Sequence, residues 1–215
     1  MKDNEMPCGQ NHFNGTEREN RRIIHIRKDD IEGYEACLCR SAEETIQRMR
    51  ESVNQDDPMQ FLYQLKFSPG GRDPLDTSRT LNLVEQLNQT FTYLASLKGA
   101  RFLFDWHKKE ITCLTLNLGT AGGSDIETKE CGGIAAEVFA AVDPWNNQKL
   151  KKDVKKVLEV TAQHRYVFFM SPLYPKIGLL PGDTDKEKLI LKMAEEDTKK
   201  GVIVWSLGCA PMVAG

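Results

Sequence analysis

Residues 132–142 read GGIAAEVFAAV, and from Ile134 to Val142 only Glu137 is not apolar. A carboxylate buried there alone and ionised would cost several kcal/mol, so it must be protonated, paired with a cation or bound to a metal. As a strand the run divides by parity. Ile134, Ala136, Val138, Ala140 and Val142 form the face expected to be core; Ala135, Glu137, Phe139 and Ala141 form the other. If the preceding SDIET segment pairs with it as a hairpin, Asp125 comes within a few ångströms of Glu137. Two carboxylates that close raise each other's pKa unless a cation lies between them. A hard divalent ion such as Mg2+ suits such an all-oxygen pair. The plainer alternative makes Asp125 a loop residue and pairs Glu137 with a Lys or Arg of another strand.

Other residues capable of chemistry are less ordered in the sequence. Lys149, Lys151, Lys152, Lys155 and Lys156 crowd one predicted helix, either as a phosphate-facing stripe or as its solvated face. NLGTAGGSD has the glycines of a phosphate cradle but not the Gly-Lys-Ser/Thr ending of a P-loop. Cys131, His107 and His164 have the side chains for nucleophilic chemistry, but no spacing links them. Cys8 with His12, and Cys37 with Cys39, lack the spacing of a common zinc finger.

The elements that must position these residues follow from periodicity and turn chemistry. RIIHIR (22–27) predicts a strand, SAEETIQRMRESV (41–53) a helix opened by a Ser41–Glu44 capping box, and QFLYQLKF (60–67) a strand. A helix is expected from Thr77 or Ser78 to about Lys98, ended by Gly99. ARFLFDW and ITCLTLNL then read as strands joined by the turn HKKE. For residues 134–142, the flanking Gly132-Gly133 and Asp143-Pro144 and the β-branched content favour a strand, while four alanines leave a helix open. A helix capped by Asn146 or Asn147, the strand RYVFFM, a helix over about 186–199 and the strand GVIVWSL complete the chain. The expected organisation is a polar tail (1–22), an α/β extension (23–75) and an α/β core (76–215) with a central mixed sheet flanked by helices.

The chain has 215 residues, 40% hydrophobic and 28% charged, with net charge −2, which argues against nonspecific coating of nucleic acid. No apolar run reaches membrane-span length, so no membrane partner is expected. The polar N-terminus and six scattered cysteines predict a cytoplasmic protein with reduced thiols.

The order helix, strands carrying an Asp and a later Glu, helix, strand resembles the core of the PD-(D/E)XK, or restriction-endonuclease-like, nuclease superfamily over residues 78–170. The matching residues are Ser124-Asp125 and Glu137-Val138-Phe139. The resemblance implies that Asp125 and Glu137 hold Mg2+, that Glu85 adds an auxiliary acid, and that the reaction is phosphodiester hydrolysis on DNA. The family's usual lysine, two positions after the Glu, is replaced here by Phe139. In some divergent members the following helix supplies it, which makes Lys149 or Lys152 the expected substitute. Without one, the fold would serve as a noncatalytic nucleic-acid-binding or protein-interaction module. A homodimer is a further expected assembly, and an enzyme acting on a small nucleotide through the glycine loop is a third reading.

Overall fold

Phe168 and Phe169 are adjacent in sequence and both fully buried, because the strand that carries them is covered on its two faces. The computed structural model describes residues 22–53, 57–119, 122–195 and 201–209. Within them lies a seven-stranded mixed sheet built from β1 (Ile23–Ile26), β4 (Leu114–Asn117), β5 (Ile126–Thr128), β6 (Ile134–Ala140), β7 (His164–Met170), β8 (Ile177–Leu179) and β9 (Val202–Leu207), in the order β1-β4-β5-β6-β7-β9-β8. β2 (Gly71–Arg72) and β3 (Thr80–Leu81) form a separate small hairpin. The pairs from β1 to β6 are antiparallel, β6-β7 and β7-β9 are parallel, and β8 is antiparallel to β9.

The helices are α1 (Ile31–Ser52), α2 (Pro58–Phe67), α3 (Leu83–His107), α4 (Lys149–Leu158) and α5 (Asp185–Glu195). The two faces of the sheet bury separate apolar clusters. Ile126, Ala136, Val138, Tyr166 and Phe168 pack with Leu38 of α1 and with Leu97, Ala100 and Leu103 of α3. Ala135, Phe139, Val167 and Phe169 pack with Leu150, Val154 and Val157 of α4 and with Ile190 of α5. A strand covered on both faces needs apolar side chains at every position, which is why β6 reads as a continuous run. The alanine-rich segment is therefore extended, and both its faces are core rather than one.

Several elements differ from the sequence expectation. QFLYQLKF lies in α2: Asp57 accepts the Met59 N–H at 2.9 Å as N-cap and Pro58 occupies the first turn. The third helix starts later than expected, capped by Asn82, and runs on through Gly99 and ARFLFDW to His107. Ala100, Leu103, Phe104 and His107 recur at helical spacing on its buried face, which decides against a strand. α1 begins ten residues before Ser41, whose hydroxyl accepts from Gln86 Nε2 at 2.8 Å instead of capping. β1 extends the main sheet beside β4, so residues 23–26 belong to the core and not to an extension.

Cys39, Cys113, Cys131 and Cys209 are free thiols, whereas Cys37 is disulfide-bonded, against the expectation that all are reduced. Cys8 and His12 lie outside the described residues. No described helix is long and apolar enough to cross a membrane.

Candidate functional site

The register of β5 on β6 pairs Ile126 with Ala136, so one step further along the ladder sets Asp125 opposite Glu137. β5 has ended there, and the Asp125 carboxylate takes over its hydrogen bonding: Oδ2 accepts the Val138 N–H at 2.7 Å. Glu137 points to the α4 side and is 2% exposed. From that helix Lys156 donates to Glu137 Oε2 at 2.7 Å, while Glu137 Oε1 is buried with no hydrogen-bond partner. Asp153, 4% exposed, accepts from Lys149 Nζ through Oδ1 at 2.7 Å, and its Oδ2 is also buried without a partner. The site is thus three acids, Asp125, Glu137 and Asp153, faced by two lysines.

Electrostatics follow from this crowding. Burial, with the charges of Asp125 and Asp153 adding to it, pushes the Glu137 carboxyl up to about 7, against the opposing pull of Lys156. Burial also raises Asp125, opposed by the Val138 N–H and by the two lysines. It raises Asp153 in the same way against Lys149. Burial works against the charge on Lys156, but its hydrogen bond to Glu137 and the surrounding acids win and hold its pKa above the usual lysine value. Two buried carboxylate oxygens without donors, amid groups that resist ionising together, are the conditions that a cation relieves.

Each residue expected at the metal site has a definite place among the described residues. Asp125 and Glu137 meet. Lys149 reaches Asp153, and its Nζ stands 5.4 Å from the centre of the Phe139 ring. Lys152 is exposed. Glu85 is exposed at the start of α3, where its carboxylate accepts the Asn82 N–H at 3.2 Å and closes a capping box. No described contact joins Glu85 to Asp125 or Glu137, so its observed part is structural. Phe139 is buried against α4, and position 139 packs.

Sequence reasoning placed Lys156 in the helix's lysine stripe but assigned neither it nor Asp153 to the acid site. The signal was present, since Lys149, Asp153 and Lys156 fall at i, i+4 and i+7, one stripe of α4. The stripe adjoins the buried residues Leu150, Val154 and Val157, which turns it toward β6. It also missed that Cys131, His107 and His164 converge, on the other face of the sheet. A scan against known protein families, a search of curated proteins and a search of solved structures each return no match.

Proposed function

We propose that this chain is a divergent relative of the PD-(D/E)XK nucleases that hydrolyses phosphodiester bonds in DNA with Mg2+. The observation that carries the proposal is the Lys156–Glu137 contact beside Asp125. It supplies from the following helix the cation that Phe139 cannot. The arrangement of α3, the antiparallel β4-β5-β6 meander, the crossover α4 and the parallel β7 supports the same reading. The donor set fits the ion: all ligands are oxygens, and Glu137 Oε1 and Asp153 Oδ2 lack partners.

Asp125 and Glu137 would hold the ion, with Asp153 completing its negative surround. Bound there, Mg2+ polarises a phosphate oxygen and lowers the pKa of a water. Lys156, its side chain 49% exposed, favours the ionised form of Glu137 against burial and presents an ammonium at the solvent edge, where a phosphate oxygen would bind. Lys152 and Lys155, exposed on the same helix, add positive charge for the DNA backbone.

The test is cleavage of duplex and single-stranded DNA by the full chain with Mg2+, alongside Glu137→Gln, Asp125→Asn and Lys156→Met. Metal-dependent cleavage lost in all three folded variants is expected. The buried Phe139 favours a second reading, a noncatalytic module, and DNA binding without any cleavage by the parent chain would decide for it.

A further inference from the structure

On the face of the sheet opposite Glu137, three loops bring together side chains widely separated in sequence. His107 ends α3, Cys131 lies in the turn between β5 and β6, and His164 begins β7. Cys131 Sγ is 3.5 Å from His164 Nε2 and 3.7 Å from His107 Nδ1, and the three ligand atoms lie within 4.8 Å of one another. Glu110, in the turn after α3, places Oε2 2.8 Å from the same sulfur and 3.8 Å from His107 Nδ1. We propose that His107, Glu110, Cys131 and His164 form a four-coordinate zinc site that clamps this end of the sheet.

The sulfur–nitrogen distances fit such a site, while Glu110 Oε2, 2.8 Å from the sulfur as the acceptor of its S–H, has to move outward on its exposed side chain once the thiol proton leaves. With zinc about 2.3 Å from sulfur and about 2.0 Å from nitrogen, tetrahedral angles put the two ligand atoms about 3.5 Å apart. Both sulfur–nitrogen separations are near that value with no rearrangement. The donor set of two imidazoles, a thiolate and a carboxylate is one that zinc takes and magnesium does not.

Tyr166 supplies the supporting contact. Its hydroxyl is 2.8 Å from His107 Nε2 in a buried position, which fixes the ring and leaves Nδ1 facing the sulfur. The backbone is strained at the same place: Lys108 and Cys131 have φ of 44° and 54°, two of the four described non-glycine residues with positive φ. Strain of this kind is kept where surrounding structure repays it, and a metal tying three loops does so.

A nucleophilic Cys131–His164 pair is the competing use of these atoms. It requires an electropositive surround for the thiolate, and a carboxylate 2.8 Å from the sulfur provides the reverse. Zinc supplies the missing charge and displaces the thiol proton to solvent.

The site is independent of the proposed nuclease centre. His164 shares the face of Tyr166 and Phe168, whereas Glu137 shares that of Val167, and His164 pairs with Ile134, about 10 Å along the strand.

The experiment titrates the chelator-stripped full chain with Zn2+ and, as a spectroscopic probe, Co2+. Expected are one tightly held equivalent, release of a proton, a rise in thermal midpoint and a thiolate-to-cobalt absorption band. Cys131→Ser should abolish the band, His164→Ala should weaken binding, and Tyr166→Phe should lower affinity about tenfold while keeping the stoichiometry. The parent chain alone also tests the proposal if Cys131→Ser fails to fold. Absence of the thiolate band from the folded parent chain overturns it, as does binding unchanged in Cys131→Ser and His164→Ala. Zinc binding lost in Glu137→Gln but kept in Cys131→Ser also overturns it, by assigning the metal to the acid cluster.

Discussion

Lys156 Nζ and Glu137 Oε2 stand 2.7 Å apart, joining the last full turn of α4 to the middle of β6. The carboxylate is buried and the lysine half exposed, so the contact sets whether Glu137 can be ionised. Lys156→Met keeps most of the stem but removes the charge. Breaking a fully buried pair costs roughly 3–5 kcal/mol, and solvent at the lysine reduces this to about 1–2 kcal/mol at pH 8. At pH 5, where Glu137 takes up a proton, most of the loss should disappear. Urea unfolding of both proteins at the two pH values measures it, and a loss equal at both would show that Lys156 acts by packing alone.

Glu137 itself has a folded-state pKa of about 7 against 4.5 for the free side chain. Between those values the folded chain binds more protons than the unfolded one, so this group's contribution is complete below pH 4.5 and is lost as pH rises through 7. Glu137→Gln removes the titration. In chelator it should be more stable than the parent at pH 8, by on the order of 2 kcal/mol, and close to the parent below pH 5. Glu110, Glu130 and Glu187, whose pKa values are lowered, shape the pH dependence of both proteins alike, so the difference reads Glu137 together with the groups coupled to it, Asp125, Asp153 and Lys156.

The strand at 134–140 and its facing aspartate were readable because parity and hairpin register are local rules. The order of strands and helices from β4 to β9 was readable from periodicity and turn residues except for β8, whose three residues Ile177–Leu179 fall between RYVFFM and the last helix where no strand was expected. QFLYQLKF misled because Met59, Leu62, Tyr63 and Phe67 are exposed on α2, and helical spacing there competes with a weak alternation. ARFLFDW misled because its aromatic content suits a strand, whereas Phe102 and Trp106 stack on one helix face with Trp205 beneath. Lys156 required the phase of α4 against β6, which only the packing of Leu150 and Val154 fixes. The His107, Cys131 and His164 cluster could not be read at all, since it depends on where three separate loops end.

Mg2+ should act on stability before it acts on DNA. A cation held by Asp125 and Glu137 binds the folded chain and not the unfolded one, so at about one hundred times its dissociation constant it adds about 2.7 kcal/mol. The gain should be largest at pH 8, where Glu137 is ionised, and small at pH 5. Thermal unfolding with and without Mg2+ reads this directly. A rise retained in Glu137→Gln would place the ion elsewhere.

Gly99, expected from the sequence to end a helix, lies within α3, close against the sheet. A Cβ there would stand 3.1 Å from a Phe168 ring carbon and 3.3 Å from the end of Ile126. Alanine gains up to about 1 kcal/mol of helix propensity over glycine, which offsets part of that crowding. Valine forfeits much of the propensity gain and adds two methyl groups with nowhere to go. Gly99→Val should therefore destabilise by roughly 2–3 kcal/mol, and Gly99→Ala by less than about 1 kcal/mol. Since Phe168 and Ile126 belong to β7 and β5, the strands flanking β6, displacing α3 should also disturb the register that sets Asp125 opposite Glu137. The same urea unfolding reads the stability order. A Gly99→Val chain as stable as the parent would show that α3 can withdraw from the sheet without cost, and that the close approach is not what positions the strands.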